Sequence, residues 1–300
     1  MPLSEQITTR LTGFADEAAE RLDRQIEATR ALGWSSIETR SVDGTNIHDI
    51  SDSDFQVVRK KLEEAGVRVH CFGSTIANWG RKVTDPFEED LQAARRAVSR
   101  MAVLETKLIR IMSYAVIRER SGRVAPDQME EERFRRLREL TGIFLDAGVT
   151  PVHENCMTYG GLSHEHSRRL LQEVPGLKLV FDMANVVANH AVTDSLPAAT
   201  TSAWEFYSQV KEDIVHVHIK DGKYDPDKKD LDYMFPGEGD AEVARIVHDL
   251  LSSGYGGAFS MEPHMAVVFH EKDSLANDEE RFDNYVEYGR RFMRLLDSLE

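Results

Sequence analysis

Cysteine is nearly absent: only Cys71 and Cys156 occur in 300 residues, far apart and without a CxxC pair. That scarcity excludes a disulfide framework and a thiolate zinc site, so any metal must be held by nitrogen and oxygen donors. No apolar run approaches the roughly 20 residues needed to cross a bilayer, and no membrane span is expected. The opening MPLSEQITTRLTGF has neither the basic start and apolar stretch of a signal peptide nor the Arg- and Ser-rich pattern of a transit peptide, so a cytoplasmic location is the expectation. Basic residues are scarce against acidic ones, 37 to 52, for a net charge of −15. This balance argues against a broad footprint for nucleic-acid phosphates and for a small-molecule partner. Without a Pro/Gly/Ser-rich linker, 300 residues could be two ordinary domains or one large α/β barrel, and the periodicity below decides for one domain over 1–300. There is also no Gly-rich phosphate loop, so a phosphorylated substrate has no support.

What is present is alternation. Short β-branched or apolar runs lie at 11–15, 35–42, 67–73, 107–113, 149–155, 177–183, 213–220 and 256–262. Between them run amphipathic stretches such as DSDFQVVRKKLEEAG and MEEERFRRLRELTGIFLDAG, each ending at a glycine suited to a helix C-cap. Eight βα units of this size predict an α/β fold, a single (β/α)₈ TIM barrel, with an open doubly wound sheet as the alternative. Two connections are long, from Tyr114 to about Asp127 and from Gly222 to about Asp240. They suit covers over the C-terminal mouth of a barrel, or ordinary surface loops.

In each of the last four strands a metal-competent side chain falls at or near the C-terminal end: Glu154, Asp182, His218 and Glu262. Singly, each is what a helix cap or a surface ion pair would also leave there. Four in succession on neighbouring barrel strands would converge on one side of the mouth, where three carboxylates repel unless a cation sits among them. One divalent ion, Mn²⁺, Mg²⁺, Co²⁺, Zn²⁺ or Fe²⁺, is the expected cofactor.

His216 shares a face with His218 one layer deeper, where it either orients a ligand or fills the core, and Lys220 continues that face to the rim. Glu38 and Arg40 share a face of the second strand, and Arg110 lies inside an apolar strand where some carboxylate must meet it. His70 is either core or pocket wall. Trp79 on the following loop is either packing or a stacking surface for a sugar.

The motifs HEN (153–155), FDMAN (181–185), VHIKDG (217–222), PGEGD (236–240) and MEPH (261–264), with the opening DEAAERLDRQIEATRALGWSSIETRSVDGTNI, resemble the sugar phosphate isomerase/epimerase superfamily. These are the xylose isomerase-like TIM barrels, which include ketose 3-epimerases, inosose dehydratase and endonuclease IV. The resemblance spans nearly the whole chain. It implies the same four metal ligands, Glu154 and Glu262 as the acid/base pair of a sugar isomerase or epimerase, and a homodimer or homotetramer. Asn185 stands where ketose 3-epimerases carry a histidine, which weighs against that particular activity. The mouth also supplies too few histidines for the three zinc ions of endonuclease IV.

The chemistry that fits is enolisation of a carbohydrate carbonyl, with Arg40, Lys220 and His264 as candidates for substrate oxygens and Glu38, His70, Trp79 and Asn185 as further candidate substrate contacts. Rival readings are a lyase that dehydrates a keto-polyol or cleaves a 3-oxo-glycoside, and a non-catalytic metal or sugar binder.

Overall fold

The structure, a computed structural model, describes residues 5–192, 202–228, 230–266 and 277–299. Eight parallel strands form the barrel: β1 (Leu11–Gly13), β2 (Ser36–Thr39), β3 (Arg68–Gly73), β4 (Leu108–Ile111), β5 (Thr150–Glu154), β6 (Lys178–Asp182), β7 (Ile214–Ile219) and β8 (Phe259–Met261). The hydrogen-bonded ladder runs unbroken from β2 through β3 to β8 and on to β1. Between β1 and β2 the seam is held by one bridge, Phe14 to Glu38, and by Ser36 Oγ donating to the Leu11 carbonyl at 3.3 Å. The sheet is therefore a nearly closed barrel and not the open alternative.

Around it lie α1 (Leu22–Ala31), α2 (Asp52–Ala65), α3 (Phe87–Leu104), α4 (Glu130–Asp146), α5 (His164–Glu173), α6 (Met183–Val192), α7 (Ala203–Val210), α8 (Val243–Ser252) and α9 (Asp278–Leu299). Each forms where apolar residues recur at helical spacing. In α2, Phe55, Val58 and Leu62 are buried; in α8, Val243, Ile246, Val247 and Leu250. Ser51 and Ser163 cap α2 and α5 by accepting the amides of Asp54 and His166. Among the described residues no helix is long and apolar enough to cross a membrane.

All eight strands are shorter than their patterns, the second and the eighth by four residues each. The second, expected over 35–42, leaves the barrel after Thr39, because Asp16 Oδ2 captures the amide (3.2 Å) and hydroxyl (2.9 Å) of Ser41. Ser41–Val42 instead pairs antiparallel with Thr45–Asn46. The eighth begins at Phe259 and not at Gly256. The long connection after β7 is an ordered hairpin, Asp221–Asp225 with Asp230–Met234.

Alternation along the strands sends Val152 and Glu154, Val180 and Asp182, and His216 and His218 to shared faces. Cys71, Val152 and Val180 make a small apolar plug inside the barrel. The polar residues one step further along β5 and β6 form the floor of the mouth.

Candidate metal centre in the barrel mouth

Glu154 ends β5, Asp182 ends β6, His218 lies in β7, and Glu262 follows β8 with its amide still bonded to the Ile219 carbonyl at 3.0 Å. Register brings them together: Asp182 and Ser260 both sit opposite His218 on the adjacent strands. All four side chains are buried, and one donor atom from each lies within 4.8 Å of the other three. From His218 Nδ1 the distances are 3.9 Å to Glu154 Oε1, 3.9 Å to Asp182 Oδ2 and 3.7 Å to Glu262 Oε2.

Two of these atoms, His218 Nδ1 and Asp182 Oδ2, are buried without a hydrogen bond. A buried ring nitrogen left so among three carboxylates suits a shared cation. Ligands about 2.1 Å from one ion stand roughly 3–4 Å apart, which these separations match. The all N/O donor set, rich in carboxylate, suits a hard divalent ion.

Each candidate ligand is held from outside. Glu154 accepts from Arg110 Nη1 at 2.8 Å and from Asn185 Nδ2 at 2.9 Å, so the carboxylate that Arg110 required is Glu154. Glu262 accepts from Arg40 Nη1 at 3.1 Å and Lys220 Nζ at 3.0 Å. Lys220 Nζ also lies 2.8 Å from Asp182 Oδ2, an ion pair too bent to be a hydrogen bond. Asp182 Oδ1 accepts the amide of Asn185 at 2.7 Å.

Burial, aided by Glu262 and Glu154 and opposed by Lys220, pushes the Asp182 carboxyl up to about 6. Burial also works against ionised Glu262, but Lys220, His264, His218 and Arg40 hold it well below the usual carboxylate range. For His218 burial favours the neutral ring, yet Glu38, Glu154 and Glu262 outweigh it and raise the imidazolium to about 9.

The family is decided at sequence level. Residues 26–287 match the family described as Xylose isomerase-like TIM barrel. The chain belongs to that family. No curated protein sequence matches the chain. Similar solved structures show the same fold. One is a xylose isomerase-like TIM barrel protein from Mycobacterium smegmatis in complex with magnesium (18% identity, 99% of each chain, TM-score 0.71). A second is a probable 3-DHS dehydratase from Bacillus anthracis (12%, 94% of this chain and 98% of that one, 0.66). A third is a D-allulose 3-epimerase from Methylomonas sp. in complex with D-allulose (15%, 97% and 99%, 0.61).

Within this xylose isomerase-like barrel the expected substrate residues separate into two groups. Arg40, Asn185 and Lys220 contact the acidic cluster directly, and His264 Nε2 lies 3.9 Å from Glu262. Glu38, His70 and Trp79 are not brought to it as a substrate wall. Glu38 is fully buried behind His218, accepting from His218 Nε2 at 3.2 Å and His216 Nε2 at 2.7 Å. It fixes the ring so that Nδ1 faces the carboxylates. His70 packs on His216, centroids 5.2 Å apart, and burial lowers its imidazolium to about 4. Trp79 is 42% exposed on the loop after β3.

The structure adds residues that the sequence reading passed over. Asp16 and Glu17, just past β1, hold the mouth. Asp16 grips Arg40 through two oxygens (2.9 and 3.2 Å), and Glu17 accepts both the amide (2.8 Å) and Nδ1 (2.9 Å) of His264. His264 has φ of 52°, unusual for a side chain with a Cβ. The Phe14 ring lies under the mouth, 4.6 Å from the Arg40 guanidinium, 5.1 Å from that of Arg110 and 5.0 Å from the His218 ring. Gly73 makes room for it, since a Cβ there would stand 2.5 Å from Phe14.

Asn155 exchanges two hydrogen bonds with the backbone of Asp182 (2.7 and 2.8 Å), setting that carboxylate's height. Asp221 accepts four backbone amides, from Gly222, Gly237, Gly239 and Ala241, which explains the PGEGD motif as the far side of a loop closed on one carboxylate. All four acids and amides follow strand ends, so the same strand-end rule applied to β1 and to second positions would have found them.

Proposed function

We propose that this protein is a metal-dependent isomerase or epimerase of a sugar or keto-sugar, with Glu154 and Glu262 as its acid/base pair. The observation that carries this reading is the placement of two buried, doubly hydrogen-bonded glutamates on opposite sides of Asp182 and His218 in one mouth. Glu154, Asp182, His218 and Glu262 would hold the ion. What a bound ion supplies is Lewis acidity toward a carbonyl, which makes the neighbouring C–H acidic.

The rest is work for side chains. One glutamate takes the proton from carbon and the other returns it, to the opposite face for epimerisation or to the adjacent carbon for isomerisation. Arg110 and Asn185 fix the Glu154 carboxylate, and Arg40 does the same for Glu262, so neither reorients as it exchanges its proton. Lys220, Arg40 and His264 offer positive charge and N–H donors to substrate oxygens. The buried floor, with Phe14 beneath it, keeps bulk water from quenching the carbanionic centre. Similarity to a D-allulose 3-epimerase structure supports a sugar substrate.

The test is exchange of substrate C–H with solvent deuterium by the metal-loaded protein, offered a panel of ketoses, keto-inositols and 3-oxo-glycosides. Exchange that disappears in E154Q, in E262Q and after chelation supports the reading. No exchange with any member of the panel overturns it in favour of a binding protein. The similarity to a probable 3-DHS dehydratase favours one second reading, a lyase sharing the same first step. An unsaturated product in place of an isomer would establish that.

A further inference from the structure

We propose that Lys220 is an internal competitor for the divalent ion, so that entry of the ion and release of the Lys220 ammonium into the mouth are one exchange. The proposal rests on the metal-centre reading above. Its basis is which oxygen each cation takes. The oxygens of Asp182 and Glu262 that face His218 Nδ1 are Oδ2, at 3.9 Å, and Oε2, at 3.7 Å. These are the two atoms that Lys220 Nζ contacts, at 2.8 and 3.0 Å. The arginines take other oxygens. Arg40 Nη1 pairs with Glu262 Oε1 at 3.1 Å, and Arg110 Nη1 pairs with Glu154 Oε2 at 2.8 Å, whereas the Glu154 oxygen facing His218 is Oε1.

An ammonium and a divalent ion compete for one pair of carboxylate oxygens. At such range the two positive charges repel strongly, and the lone pairs aimed at one are lost to the other. Lysine is suited to yield, being a compact charge on a flexible four-carbon stem, where an arginine fork is locked in plane. With Lys220 in place the emptied carboxylates remain neutralised, so the buried mouth stays folded without the ion. When the ion displaces it, the ammonium turns toward the rim, where a substrate oxygen can take it. The Lys220 charge is thus delivered to substrate only in a loaded site.

The experiment is side-chain NMR of the full chain labelled with ¹⁵N-lysine, titrated with Mg²⁺ and separately with Zn²⁺, alongside Mn²⁺ calorimetry of wild type, K220M and K220Q. In chelator we expect one slowly exchanging ammonium signal, absent from both variants. Saturating metal should shift it and bring it into fast exchange with water, and the variants should bind Mn²⁺ at least tenfold more tightly. A metal-loaded wild type with that signal unmoved, or folded variants that bind no more tightly, overturns the role of Lys220 alone. Failure of all three proteins to bind any of these ions overturns the metal centre with it.

Discussion

Binding of a divalent ion should expel a proton from His218, and the number can be worked out. A metal ligand must offer a bare nitrogen, whereas the metal-free imidazolium titrates at about 9. Near pH 7 it therefore carries about one proton, and Asp182, titrating at about 6, carries roughly 0.1 more. Loading wild type near neutral pH should release about 1.1 protons per ion.

Apparent affinity should rise about tenfold per pH unit toward 9 and then level off. Stability of the metal-free protein should move the other way. The folded imidazolium titrates above the roughly 6.5 of an unfolded histidine, so its stabilisation is complete below 6.5 and is lost as pH rises through 9, about 3 kcal/mol in all.

The perturbation is E38Q, which removes the carboxylate 3.2 Å from His218 Nε2 while leaving a hydrogen-bonding group of the same shape. The His218 value then falls toward 6.5, and release should drop to roughly 0.3 proton per ion. Calorimetry of Mn²⁺ binding in buffers of different ionisation enthalpy reads this number independently of affinity. Release below about 0.3 proton from wild type, or equal release from E38Q, would refute the reasoning.

Three other outcomes follow from the same contacts. His153 is fully buried, its Nε2 on Ser113 Oγ at 2.9 Å and its Nδ1 without a partner, and burial lowers its imidazolium to about 3. Stability present above pH 6.5 is therefore lost as pH falls toward 3; urea melts should show wild type losing about 3 kcal/mol relative to H153Q between pH 7 and 4.5, and a constant gap would count against this. R110M leaves Glu154 buried beside Asn185 alone, and urea melts in chelator should fall by about 3–5 kcal/mol, with saturating Mn²⁺ restoring part of it; unchanged melts would remove Arg110 from the site. D221A orphans four backbone amides, and limited proteolysis should cut within 222–241 many times faster than in wild type; equal rates would mean the carboxylate does not hold that loop.

The barrel was legible in the chain because its signals are local. Strand alternation, helical spacing and capping glycines act within a few residues, and eight repeats of one unit leave few topologies. The four strand-end donors were legible for the same reason, since the end of a parallel barrel strand has a fixed direction. Boundaries went astray where a distant group intervened, as when Asp16 pulled Ser41 out of β2.

What only the tertiary structure decided is depth and pairing. Glu38 and Arg40 share a face, yet one lies behind His218 and the other on Glu262, because strand stagger sets the height at which each side chain meets its neighbours. The choice of Lys220 for the inner oxygens, and of Arg40 and Arg110 for the other ones, joins residues 38 to 222 positions apart. Charge interactions across a closed barrel depend on distances that no local pattern encodes, so the sequence picked out the four strand-end donors while folding determined which cation faces them.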